Sequence, residues 1–163
     1  MGLTLDFKLY ENAVLTNYFE PPYAKHGVLS MTAMRKNTCE KIQQFNIKAP
    51  NADVAARNLS GGNQQKLVLA REIQRQPKIL LVVQPTWGLD IGACSFVYQK
   101  LLEERDRGAA ILLISTDLEE ARGLSDRLLV IYEGEIMGEV DPKTAKVEDI
   151  GLMMAGSKIN QNN

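Results

Sequence analysis

The chain has 163 residues, 19 Lys and Arg against 20 Asp and Glu for a formal net charge of −1, with 45% apolar and 24% charged residues. These are the proportions of a folded globular domain, too apolar and too evenly charged for a disordered chain and without the basic excess of a non-specific nucleic-acid binder. No apolar run approaches the ~20 residues that cross a bilayer, and the start Met1-Gly2-Leu3-Thr4-Leu5-Asp6 has neither the basic residues nor the apolar stretch of a secretory signal.

In chain order, Leu5 to Tyr18 reads as a short strand end and a helix through Glu11 to Asn17. Glu20-Pro21-Pro22-Tyr23 with Gly27 marks a loop. Ser30 is placed as the N-cap of a helix whose Met31, Met34, Thr38, Ile42 and Phe45 share one face. Ile47 to Leu59, with Pro50, Asn51, Asp53 and Asn58, reads as an irregular connection. A long helix is expected from Gly61 to Gln76, stopped by Pro77.

The α/β regime follows. Ile79 to Val83 is a continuous apolar run, expected to form a strand covered on both faces. Ile91 to Arg107 is helical and ends at Gly108. Ala109 to Ile114 is a second buried strand, Asp117 to Gly123 a short helix, and Arg127 to Tyr132 a strand that turns at Glu133-Gly134 into Glu135 to Val140. A last helix spans about Val147 to Ala155, and Lys158 to Asn163 is a polar tail expected to fray. The order implies a parallel sheet with crossover helices. The two cysteines, Cys39 and Cys94, each lie among apolar residues at helical spacing and are read as small buried thiols.

The most informative stretch is Leu59-Ser60-Gly61-Gly62-Asn63-Gln64-Gln65-Lys66. Ser60 sits where an N-cap belongs, and two glycines open the helix, so unbonded N–H groups and the positive dipole end face outward. That suits a phosphate, although an ordinary capped helix has the same physics. The wording is more specific. These residues resemble the ABC signature motif in the form found in sugar and nucleoside importers. Leu69-Ala70-Arg71 follows as in ABC cassettes, Ile79 to Val83 with Pro85-Thr86 and Gly88-Leu89-Asp90 resembles the Walker B strand and D-loop, and Leu112 to Leu118 resembles the approach to the H-loop. The resemblance runs through nearly the whole chain in one order.

The resemblance implies an α/β fold, a partial P-loop NTPase (ABC) core with a parallel sheet plus a helical subdomain. Residues 1–76 are expected to hold the end of the Q-loop region and the helical subdomain, 77–157 the partial α/β core, and 158–163 the tail. No G-x-x-x-x-G-K-[ST] phosphate loop occurs in the chain, so it reads as the latter part of one cassette, with a start at Met1 that need not be the biological one. The positions where the family has Asp-Glu at the end of Walker B are Val83 and Gln84, and the H-loop histidine position is Thr116. Valine offers no oxygen to Mg²⁺, and glutamine cannot take a proton from water at neutral pH. No catalytic residue and no metal ligand is therefore expected in this chain, which is read as inactive alone.

The same resemblance implies a composite site in which Ser60, Gly61, Gly62 and Gln64 contact nucleotide bound by another cassette, with Asp90 in the D-loop aligning the halves. ATP and Mg²⁺ are expected in the full assembly and none on this fragment. The partners implied are a second cassette fused in the same full-length chain, transmembrane permease subunits and, indirectly, an extracytoplasmic substrate-binding protein, at the cytoplasmic face of the membrane. N-Q-Q-K points to the two-cassette branch, and Val83-Gln84-Pro85-Thr86 to its nucleoside importers. A non-enzymatic ABC-derived interaction or regulatory domain is the alternative. Chromosome-associated ABC ATPases are disfavoured by N-Q-Q-K and by the lack of heptads. Trp87, where the family usually has a basic residue, is either an interface anchor or a partly buried loop aromatic.

Overall fold

The computed structural model describes residues 2–157; the tail expected over 158–163 lies outside them. The elements are α1 (Leu9–Ala13), β1 (Ala24–Lys25), β2 (Val28–Leu29), α2 (Met31–Gln44), a 3-10 turn (Ala56–Asn58), α3 (Gly61–Gln74), β3 (Ile79–Val83), α4 (Ile91–Asp106), β4 (Ala110–Ile114), α5 (Leu118–Leu124), β5 (Leu128–Tyr132), β6 (Glu135–Val140) and α6 (Val147–Met154). The chain divides into two compact units, one drawn from Met1–Leu80 and Pro85–Ile111, the other from Leu81–Gln84 and Leu112–Asn163.

The first unit is mainly helical. Ser30 caps α2, its Oγ accepting the Ala33 N–H at 3.3 Å. The expected α2 stripe is realised at Met34, Thr38 and Phe45, which are buried, while Met31 at the first turn is exposed. Tyr10, Val14, Tyr23, Met34 and Ala52 form one apolar cluster, so α1 and α2 close over the irregular connection. Where a loop was expected, Ala24–Lys25 and Val28–Leu29 pair as a small antiparallel hairpin. His26 (φ 50°) and Gly27 (φ 79°) make its turn, the left-handed pair of a type I′ turn. α1 is shorter than its apolar pattern suggests. Cys39 is exposed and Cys94 half-buried, so neither thiol is a core residue. Cys39 follows Thr38 by one position, and a ~100° step carries it off the inner stripe.

β3 and β4 form a two-stranded sheet. Ala110 N–H donates to Lys78 O at 2.9 Å and Gln84 N–H to Ile114 O at 2.8 Å. Both strands advance together between those bonds, so the pair is parallel. Cover on both faces is not observed: Ile79, Leu81 and Val83 are 74%, 65% and 56% exposed, alternating with buried or half-buried Leu80 and Val82. Leu112 and Ile114 of β4 are exposed as well. An apolar run states a demand for burial and leaves open what supplies the second layer.

In the second unit β5 and β6 pair antiparallel with a bulge between Val130 and Ile131. Val130, Met137, Ile150 and Met153 form the core between this hairpin and α6. Met153 packs inside, while its neighbour Met154 is exposed. Arg122 on α5 ties the return loop down, its guanidinium donating to Pro142 O at 3.0 Å and Ala145 O at 3.3 Å.

Candidate nucleotide-facing site

The helix start at Ser60 is built by the residues that follow its glycines. Asn63 Nδ2 donates to Ser60 Oγ at 2.8 Å, and Asn63 Oδ1 accepts the Lys48 N–H at 2.8 Å. Gln64 is buried, and its Nε2 donates to Ala56 O at 3.2 Å and Leu59 O at 3.1 Å. Lys66 Nζ donates to Asn46 O at 3.1 Å and sits 4.6 Å from the Phe96 ring centre. Phe96 in turn meets Phe45 edge-on at 6.1 Å. Three side chains of one helical turn thus fasten residues 46–60 to α3. Sequence reasoning missed this role. The signal that could have found it is three long polar side chains beside a connection whose carbonyls no helix or strand uses.

Ser60 stands at the N-cap position with extended backbone (φ −63°, ψ 157°), yet its side chain caps no amide. Its oxygen accepts from Asn63 instead, which leaves the hydroxyl proton available to an external acceptor. The amides of Gly61, Gly62 and Asn63 precede any carbonyl the helix could offer them. Ser60 and Gly61 are exposed, so one O–H and a row of N–H groups converge at the positive end of a 14-residue helix. Gln64, expected among the outward contacts, has its amide nitrogen turned inward and serves as support.

Asp90 is the N-cap of α4, its Oδ1 accepting the Ala93 N–H at 2.8 Å. The starts of α3 and α4 lie together: a Cβ on Gly62 would come within 3.2 Å of Ala93 Cβ. The second glycine is what permits that approach. Ser60, Gly61, Gly62 and Asp90 therefore belong to one surface of the first unit.

Val83, Gln84 and Thr116 fall in the second unit. Thr116 Oγ1 donates to Gln84 Oε1 at 3.3 Å, and Gln84 holds a left-handed backbone (φ 48°). This pair offers an amide and a hydroxyl, so it can donate hydrogen bonds but cannot take a proton. The positions do not fit Mg²⁺, because Val83 carries no ligand atom. Among the described residues no group of three His, Cys, Asp or Glu side chains is placed to hold a metal, and no described helix is long and apolar enough to cross a membrane.

The fold is that of part of an ATP-binding cassette core, mixed helix and strand with a parallel pair. A dimeric ATP-binding cassette in a post-hydrolysis state bound to ADP and Pi superposes with a TM-score of 0.70 at 27% identity, covering 86% of this chain and 59% of that one. A dimeric bacterial ABC transporter cassette matches with the same score and coverage at 26% identity. No protein-family model matches the chain. The guanosine import ATP-binding protein NupO of Bacillus subtilis is 47% identical over 156 residues, which are 96% of this chain and 31% of that protein. The nucleoside import ATP-binding protein NupA of Lactococcus lactis is 41% identical over 160 residues, 98% of this chain and 32% of that protein. The ribose import ATP-binding protein RbsA of Streptococcus agalactiae is 40% identical over 157 residues. The chain spans about a third of the length of these relatives.

Proposed function

We propose that this chain is the latter part of the second, degenerate cassette of a bacterial importer ATPase for nucleosides or simple sugars. Residues 1–76 would supply the helical subdomain and 77–157 the partial core. It presents Ser60, Gly61 and Gly62 to ATP held on another cassette. The observation that carries this reading is the start of α3, where a free hydroxyl proton and unbonded amides converge on one exposed point. Those donors suit the γ-phosphate oxygens, over which the charge of the transferring phosphoryl group is spread. Water's proton has no acceptor at Gln84, so the base belongs to the other cassette. Asp90, which caps α4 beside the start of α3, helps align the two cassettes. Transmembrane permease subunits at the cytoplasmic face of the membrane, with an extracytoplasmic substrate-binding protein acting through them, complete the assembly.

The test exchanges this chain for its matching stretch in the full-length Bacillus subtilis guanosine-import relative. Ser60→Ala or Gly62→Val should lower steady-state ATP hydrolysis by about a hundredfold. Gln84→Glu alone should not add a second active site, because Val83 and Thr116 remain. Calorimetry on the 163-residue chain should show no micromolar MgATP binding. Hydrolysis indifferent to Ser60 and Gly62, or clear binding to the chain alone, would refute the composite-site reading.

A further inference from the structure

Ser30, Asp90 and Asp117 cap α2, α4 and α5 in the ordinary way, each side chain accepting the backbone N–H three residues on, from Ala33, Ala93 and Glu120. Ser60, at the start of α3, makes no such bond. Its Oγ accepts instead from the side chain of the residue in that place, Asn63 Nδ2 at 2.8 Å. The other end of the same amide is fixed from outside the helix, where Asn63 Oδ1 accepts the Lys48 N–H at 2.8 Å. A backbone N–H can only donate, so the atom facing Lys48 is the oxygen and the atom facing Ser60 is the nitrogen. The path through Lys48 is itself held, since Lys66 Nζ donates to Asn46 O at 3.1 Å.

We propose that Asn63 is a positioning residue for the phosphate contact: its amide makes Ser60 Oγ an acceptor on the helix side and so directs the hydroxyl proton outward, at a phosphate oxygen of the nucleotide on another cassette. This rests on the composite-site reading. A serine hydroxyl has one proton, which turns to suit its surroundings. At an ordinary N-cap a backbone N–H occupies the oxygen. Here the Asn63 side chain does so, and the Asn63 backbone N–H joins those of Gly61 and Gly62 as a donor without a capping partner. Among the described residues the bond from Asn63 is the one hydrogen bond that Ser60 Oγ makes, so no carbonyl of its own chain takes the proton. A donor set in advance needs no reorientation when charge moves on the phosphoryl group, which is what makes such donors effective. The amide is the group that can do this, because it accepts at Lys48 and donates at Ser60. A carboxylate would accept at both ends and draw the Ser60 proton inward.

In the exchanged full-length relative, two changes separate proton direction from simple anchoring. Asn63→Asp keeps the shape and the acceptor for the Lys48 N–H but turns the Ser60 proton toward itself. Its kcat should fall by about a hundredfold, as for Ser60→Ala. Asn63→Ala leaves the hydroxyl free to turn and should lower kcat by only about tenfold. Stability should run the other way. In melting curves of the 163-residue chain, Asn63→Ala loses the bond to Lys48 and should melt lower than Asn63→Asp, whose carboxylate also suits a helix start. Added to Ser60→Ala, Asn63→Asp should lower kcat little further, because it acts through a hydroxyl that is no longer there. An Asn63→Asp enzyme as active as Asn63→Ala, or a second full hundredfold drop on top of Ser60→Ala, overturns the positioning role, and the loss on Ser60→Ala then leaves the composite site standing. Normal hydrolysis on Ser60→Ala overturns both.

Discussion

Asn12 and Lys41 are both buried polar residues of the first unit, and they act in opposite directions on stability. Asn12 is fully satisfied: Oδ1 accepts the Thr4 N–H at 2.9 Å, and Nδ2 reaches Thr4 O at 2.9 Å and the carbonyls of Phe7 and Lys8 at 3.3 Å. It shapes residues 4–8 onto α1. Lys41 faces inward from α2, where burial pushes its ammonium below the usual 10.5 and neighbouring Glu40 opposes that only in part. The unfolded chain keeps the proton up to about 10.5, while the folded chain releases it at lower pH. Between those values the unfolded state binds more protons, so stability should rise with pH there and be level below. Lys41→Met should stabilise the chain by about 1 kcal/mol at pH 7, because the buried charge goes and the stem volume stays. Urea titration should show a higher midpoint at unchanged slope, and the alkaline rise should vanish. A lower midpoint would mean that the ammonium is better compensated in the fold than its burial implies.

At the scale of elements, legibility followed periodicity. α2, α3, α4 and β3 to β6 emerge close to their expected limits because each carries a clean period of 3.6, a buried run or a turn signal. The β5–β6 turn is such a signal: Glu133 and Gly134 hold φ 47° and 85°, the type I′ pair that matches strand twist. Gly134→Ala should therefore cost roughly 1 kcal/mol, the usual penalty for a Cβ in the left-handed region. Thermal melts should fall accordingly while the Leu128↔Val140 register persists in amide exchange; no change in melting would mean the turn relaxes without strain. The β1–β2 hairpin uses the same turn, but His26 gives no comparable signal and its strands are two residues each. For the candidate site, Ser60, Gly61, Gly62 and Asp90 could be picked out by motif. The clamps made by Asn63, Gln64 and Lys66 could not, since which carbonyls they meet depends on the path of residues 46–59.

At the scale of the whole molecule, the unsolved demand is the bare face of β3 and β4. Leu81, Val83, Leu112 and Ile114 all belong to the second unit and all are exposed; strand pleating turns them to alternate positions along each strand. Exposed apolar faces of this kind mark contact surfaces or association hazards. The chain covers 59% of a matched single cassette; on the proposed reading, the part of such a cassette outside that match would supply the second layer. Leu112→Ala separates the two situations. In the 163-residue chain the side chain is more than half exposed, and the change should shift stability by no more than about 0.5 kcal/mol while reducing apolar-dye binding. In the exchanged full-length guanosine-import relative, where that layer would be present, the same change should cost about 2 kcal/mol or more, as leucine truncation does in a packed core. Equal small effects in both would show that the face stays uncovered in the longer protein. A large effect already in the short chain would show that its own copies supply the cover, and that loss should then grow with protein concentration.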